Sequence, residues 1–200
     1  MRQLPRPYDF ATLPDLIAPD VALVFVGINP STYSVERGHY FARRTHRFWP
    51  AFSRSRLSAP IRAALGVETL GPEHDADLLR FGVGFTDVIK RPSSNASNLT
   101  PQDFAEWVPQ LKSRLRHFRV RVACFHGLTG YRPFARIALG LDEQAVKAAA
   151  LGLQPASFGH TRLFVVPNPS PANAHFTAAD QAAWYDRLAE FLDEVLGRKS

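Results

Sequence analysis

Four short apolar runs are spaced widely along the chain: Val21 to Val26, Phe85 to Ile89, Val120 to Phe125 and Arg162 to Val166. The first is continuous and β-branched, bounded by Asp20 and Gly27, which predicts a strand buried on both faces and central to a sheet. The other three read as further strands. Helical patterns fall between and after them, at about residues 46–57, 74–81, 128–139, the alanine-rich 142–151, and 177–196. One more helix starts at Thr100, with Pro101 at its first position and Asp103 close behind. Its Phe104, Trp107, Val108, Leu111 and Leu115 recur on one face, the pattern of a core stripe. Thr177 and Asp180 make a similar cap for the last helix. Phe48 and Trp49 are expected to anchor the helix that they begin.

This order predicts an α/β protein: a single three-layer α/β/α domain with a short, mainly parallel central sheet. Residues 21–200 would form the domain. Residues 1–20, with Pro5, Pro7, Pro14 and Pro19, would be a lead-in. The stretch 28–44 has neither helical nor strand period and reads as a long loop with functional content. Two loops are stiffened by proline at strand ends, Gly27-Ile28-Asn29-Pro30-Ser31 and Pro167-Asn168-Pro169-Ser170-Pro171. Open α/β sheets bind ligands at the carboxyl ends of their strands, so both loops would face one cleft.

Composition narrows what such a cleft accepts. The net charge is +6, carried by 20 arginines and only four lysines. Seven arginines (37, 43, 44, 47, 54, 56 and 62) form a local run with one acid, Glu36, beside it. Arginine's planar fork suits phosphate oxygens, so a polyanion is an expected partner. The single cysteine, Cys124, excludes an internal disulfide and a cysteine-ligated cluster held by this chain alone, and it reads as a core residue. No run is long enough to span a membrane, and the start lacks the apolar stretch of a signal peptide; the expectation is the cytoplasm, on the nucleoid if the source is bacterial. The first loop contains no GxGxxG and no P-loop pattern, and the seven histidines show no metal-ligand spacing. No cofactor or metal is implied.

Residues 27–49, GINPSTYSVERGHYFARRTHRFW, resemble the first motif region of the mismatch-specific uracil and thymine DNA glycosylases, within the uracil-DNA glycosylase superfamily. Gly84 to Pro92, GFTDVIKRP, resembles the segment that follows. NPSPANAHF at 168–176 resembles the superfamily's second motif. The three blocks stand in family order across about residues 20 to 195.

The resemblance implies base flipping and hydrolysis of the C1′–N1 bond, with an oxocarbenium-like sugar attacked by water. Asn29 corresponds to the water-positioning asparagine, with Gly27 and Ile28 beside the substrate. Phe41 corresponds to the phenylalanine that stacks on the base, Asn168 to a residue near the base, and Ser34 to a small residue near the pyrimidine's C5 edge. Either Ser34 or its neighbour Tyr33 could face inward. Asp87 departs from the family, whose members commonly carry a neutral or basic residue there; it would orient or deprotonate water, or else form a strand-end ion pair with Lys90 or Arg91. Arg43, Arg44 and Arg47 are expected DNA contacts, with Pro169, Ser170, Pro171, Ala172, Asn173 and His175 of the second loop. Relatives often have a bulky wedge where Ala172 stands, so His175 or Phe176 could take that place.

The implied partner is double-stranded DNA containing a mismatched or damaged pyrimidine, met by a monomer without a membrane. No lysine occupies an obvious nucleophile position, so a monofunctional enzyme is expected rather than a Schiff-base lyase. A non-catalytic DNA or modified-base-binding module on the same fold, and a nucleoside hydrolase, are the competing readings.

Overall fold

The computed structural model describes residues 8–198. Strands β1 (Leu23–Gly27), β2 (Val83–Asp87), β3 (Val122–His126), β4 (Gly152–Phe158) and β5 (Thr161–Val166) form one sheet in the order β2-β1-β3-β5-β4. All pairings are parallel except that of β4 with β5. β1 lies between β2 and β3, and its five residues are all buried.

Alternation along β1 sorts the two covering layers. Leu23 and Phe25 point to a core built with α2 (Phe48–Arg54) and α7 (Ala178–Leu196). Val24 and Val26 point to a second core with α4 (Pro101–His117) and α5 (Leu128–Leu139). A strand buried on both faces needs apolar residues at every position, which explains the unbroken run. Phe48, 0% exposed, and Trp49, 4% exposed, do anchor α2. The expected caps at Thr100 and Thr177 both form, each with its aspartate bonding back.

The sequence reading differs from the structure in several places, among them 74–81, where two 3-10 turns, Pro72–His74 and Ala76–Phe81, stand for the expected helix. The stretch 28–44 is not wholly loop: α1 (Thr32–Arg37) occupies its middle, capped by Ser31 and closed by Gly38 in the left-handed region. Six residues are too few to show a helical period. The helix expected over 142–151 is α6 (Glu143–Ala148), and the chain then enters β4, an edge strand that contains Pro155 and shows irregular burial. A proline and a register shift hide the alternation that would reveal it. A further short helix, α3 (Ala59–Leu65), follows α2.

Residues 1–7 of the expected lead-in lie outside the described residues. The segment ahead of Val21 packs onto the sheet: Leu13 and Ile17 are buried, and Leu16 exchanges two 2.9 Å backbone hydrogen bonds with Phe85.

Candidate active site

The strand ends converge. β1 delivers Gly27 to Ser31, β2 delivers Asp87, β3 delivers His126, and β5 delivers Asn168, all at their carboxyl ends. They surround a cleft of about 910 Å³ that Phe41, Ser34 and the second loop complete.

The first loop is held by its neighbour rather than by its own turn. Val88 N donates to Gly27 O at 2.8 Å, Ile89 N to Ile28 O at 2.9 Å, and Ser93 N to Pro30 O at 3.2 Å, so the pairing of β1 with β2 continues past the strands. Asn29 is locked into this seam. Its Nδ2 donates to Ser93 Oγ at 2.8 Å, Pro30 O at 3.1 Å and Arg91 O at 3.2 Å. With the amine so engaged, Oδ1 is the end left over, and no described residue donates to it. Asn29 therefore presents an oriented acceptor to the cleft, as positioning a water requires.

Asp87 sits directly across from Gly27 in the strand register. A Cβ at 27 would collide with Asp87 Oδ1, so only glycine lets the carboxylate lie here. Asp87 is 2% exposed, lines the cleft, and its Oδ2 has no hydrogen-bond partner. Of the two expected cations, Arg91 instead binds Asp103 at 2.7 Å, and Lys90 Nζ stands 3.8 Å from Asp87 Oδ2. Burial pushes the Asp87 carboxyl up to about 6; Lys90, Arg114 and the Tyr40 hydroxyl oppose the rise and Asp15 adds to it. Its charge therefore changes close to neutral pH.

The pocket wall is aromatic. Phe41 lines the cleft with a left-handed backbone, φ 54°, and its ring stacks on Phe48 at 4.4 Å and on His46 at 4.7 Å. Phe41 thus already has two rings, His46 and Phe48, stacked against it, and the three form one aromatic stack. Burial, with the charge of Arg47, lowers His46 to about 4, so it is neutral at physiological pH. The choice between Ser34 and Tyr33 is resolved: Ser34 is buried and lines the cleft, where its Oγ accepts from Ala42 N at 3.3 Å. Tyr33 turns outward, and the guanidinium groups of Arg37 and Arg43 each lie 5.2 Å from its ring centre.

The second loop has a different support. Arg47 Nη1 donates to Asn173 O and Phe176 O, both at 2.7 Å, and to Ser170 O at 3.5 Å. Nη2 reaches Pro171 O at 3.4 Å, and Arg47 N donates to Pro169 O at 3.0 Å. This corrects the expectation that Arg47 contacts DNA, because its fork is spent on loop carbonyls. Arg43, which lines the cleft, and its neighbour Arg44 remain exposed. Arg56 pairs with Glu190 and Asp193, and Arg62 donates to Glu68 O, so the arginine run is only partly a free basic face.

Asn168 Oδ1 accepts from Ser170 N at 3.0 Å, which leaves its Nδ2 without a described partner. Gly127, φ 92°, admits Asn168 closely: a Cβ there would stand 3.1 Å from Asn168 Cβ. Pro171, Ala172 and Asn173 line the cleft rim, while Ala172 and His175 are exposed.

Sequence reasoning passed over His126 and Tyr40, which also line the cleft. His126 Nε2 lies 3.1 Å from the Tyr185 hydroxyl and its buried Nδ1 has no partner. Burial lowers its pKa to about 3, so the floor of the cleft is a neutral imidazole. Its place at the end of the third apolar run was the available signal.

Comparison with known proteins agrees with this arrangement. The family model of the uracil DNA glycosylase superfamily matches residues 14–192. A G/U mismatch-specific uracil DNA glycosylase of Schizosaccharomyces pombe is 26% identical over 179 residues, which cover 89% of this chain and 53% of that protein. The chain thus spans about half the length of this curated relative. With its match extending over nearly all the described strands and helices, the chain belongs to the uracil DNA glycosylase superfamily.

Proposed function

We propose that this protein is a monofunctional DNA glycosylase that flips uracil out of mismatched duplex DNA and hydrolyses its N-glycosidic bond, initiating base excision repair. The observation that carries the reading is the pair at the ends of β1 and β2: an asparagine with its acceptor end free, and a buried carboxylate over Gly27 whose Oδ2 accepts no hydrogen bond.

The C1′–N1 bond breaks with its electron pair leaving on the base, and the sugar passes through an oxocarbenium-like state. A water held by Asn29 Oδ1 bonds to C1′, and its proton passes to the Asp87 carboxylate. The same negative charge favours the cationic sugar. Asn168 Nδ2 is a donor available to a base carbonyl, where negative charge accumulates as the bond breaks. His46 and Phe41, in one aromatic stack with Phe48, line the side of the cleft against which an extruded base would lie.

Ser34 inside and Tyr33 outside leave space at the pyrimidine's C5 edge, which supports acceptance of thymine or modified pyrimidines as well. A methyl group is worth only about 1–3 kcal/mol of discrimination, so uracil remains the principal substrate. The exposed Arg43 and Arg44 and the loop from Pro169 to His175 meet the duplex. Hydrolysis without a lyase step is supported by the lysines: none of the described ones, Lys90, Lys112 and Lys147, lines the cleft.

The test is incubation with a duplex containing a single G·U pair, followed by alkali. Strand breaks only after alkali are expected. Salt-sensitive duplex binding with no breaks would instead identify a non-catalytic binding module.

A further inference from the structure

Asp87 is one corner of a buried charge cluster assembled from four parts of the chain. Asp15 comes from the segment ahead of β1, Tyr40 from the loop after α1, Lys90 from the loop after β2, and Arg114 from α4. Lys90 is 0% exposed and Arg114 5% exposed, so neither cation is compensated by water. Both turn to Asp15. Lys90 Nζ is 3.0 Å from Asp15 Oδ1 and 3.8 Å from Asp87 Oδ2. Arg114 Nε is 3.3 Å from Asp15 Oδ2, while its Nη2 binds the main-chain O of Asp87, at 2.9 Å, and not the carboxylate. Thr86 Oγ1 fixes Asp15 Oδ1 from the other side at 2.6 Å. The Tyr40 hydroxyl stands 3.3 Å from Lys90 Nζ and gives its hydrogen to Pro14 O at 2.9 Å.

From this geometry we infer that Asp15 is a positioning residue for the excision reaction: by drawing Lys90 and Arg114 to itself it keeps Asp87 Oδ2 only loosely paired with Lys90, free of any hydrogen bond and able to take a proton. The inference rests on the reading of Asp87 as the base. Two effects of Asp15 act with one sign. Its negative charge repels a second ionised carboxylate nearby, and its hydrogen bond from Lys90 and ion pair with Arg114 withhold the cations that would otherwise stabilise that carboxylate. Asp15 itself is driven to the ionised side: burial opposes this, but Arg114, Lys90 and the Thr86 hydroxyl outweigh it and hold its carboxyl below the usual range. The cations are thus committed to the carboxylate that does not face the substrate.

The signs of the consequences are fixed. Removing the Asp15 charge leaves Asp87 as the nearest carboxylate to both cations, so its proton affinity falls. Removing the Lys90 charge takes away the cation nearest to Asp87 Oδ2, so its proton affinity rises. Damage to packing alone would not move one group in opposite directions for the two variants.

Single-turnover excision from a G·U duplex is measured from pH 4.5 to 8.5 for wild type, Asp87→Asn, Asp15→Asn and Lys90→Gln, with thermal melting of each to confirm folding. Wild type is expected to gain activity as pH rises through about 6, and Asp87→Asn to lack that limb. Asp15→Asn moves the limb down by about one pH unit, and Lys90→Gln moves it up by about as much. Either variant alone tests the sign if the other fails to fold. An Asp87-dependent limb that stays in place in the folded variants overturns the role of Asp15 while leaving Asp87 as the base. A wild type with no such limb removes the reading of Asp87 itself, and the role of Asp15 falls with it.

Discussion

The same tripeptide, Asn-Pro-Ser, stands at the end of β1 (Asn29 to Ser31) and shortly after β5 (Asn168 to Ser170), and the two copies present opposite ends of the asparagine side chain. Asn29 spends its amine on Ser93, Pro30 and Arg91, and keeps its oxygen. Asn168 spends its oxygen on Ser170 N and keeps its amine. One therefore offers an acceptor to the cleft and the other a donor. In a reaction that needs a held water on one side of the glycosidic bond and a stabilised anion on the other, these are the two polarities required. The surroundings decide which end is free. The first copy is zipped to the loop after β2, and the second is a turn closed on itself and clamped from outside by Arg47.

The largest test of this asymmetry replaces each asparagine in turn. Asn29→Ala, which loses the water-holding acceptor, is expected to lower single-turnover excision about 1,000-fold; Asn168→Ala, which loses one donor to the leaving base, about 100-fold. Equal losses, or the reverse order, would mean that the free ends do not divide the work in this way. The supports come next. Arg47→Lys keeps the charge but not the fork that reaches four carbonyls, and should cost about 1–3 kcal/mol of stability in urea unfolding. A substitution of Arg47 that leaves stability unchanged but weakens duplex binding would restore it as a DNA contact. The smallest effect belongs to Arg44→Ala at the exposed rim: duplex affinity should fall a few-fold and the slope of log K against log salt should flatten by about one.

Much of this was legible from the chain, for physical reasons. A fully buried strand must be apolar at every position, so β1 declared itself. Gly27 and Asn29 stood out because a strand-end loop with proline is rigid and recurs in a known family. Arg47 was misread because an arginine in a basic run looks like surface charge, and capping of carbonyls some 125 positions away leaves no local pattern. Asp15 sits in a proline-rich lead-in and acts on Lys90, 75 positions later. β4 is an edge strand with an internal proline, so neither alternation nor propensity exposed it. Asp87 was visible as a carboxylate at a strand end, but its burial and lack of a partner come only from the packing of β2 against Gly27 and from the cations' commitment to Asp15.

That burial carries a stability signature as well. A carboxyl raised from its ordinary value to about 6 contributes most favourably below its unfolded pKa, where it is protonated, and loses that contribution as pH rises through 6. Asp87→Asn should therefore melt higher than wild type at pH 8, with the gap shrinking toward pH 4, the opposite trend to its effect on activity.

The most direct test of Asp87 as the base is the ratio of single-turnover excision rates, wild type over Asp87→Asn, followed from pH 5 to pH 8. The ratio should be about ten at pH 5, rise steeply through pH 6, and level off at about 100. A ratio that is the same at every pH would contradict a proton-accepting role for Asp87 and leave Asn29 to position the water alone.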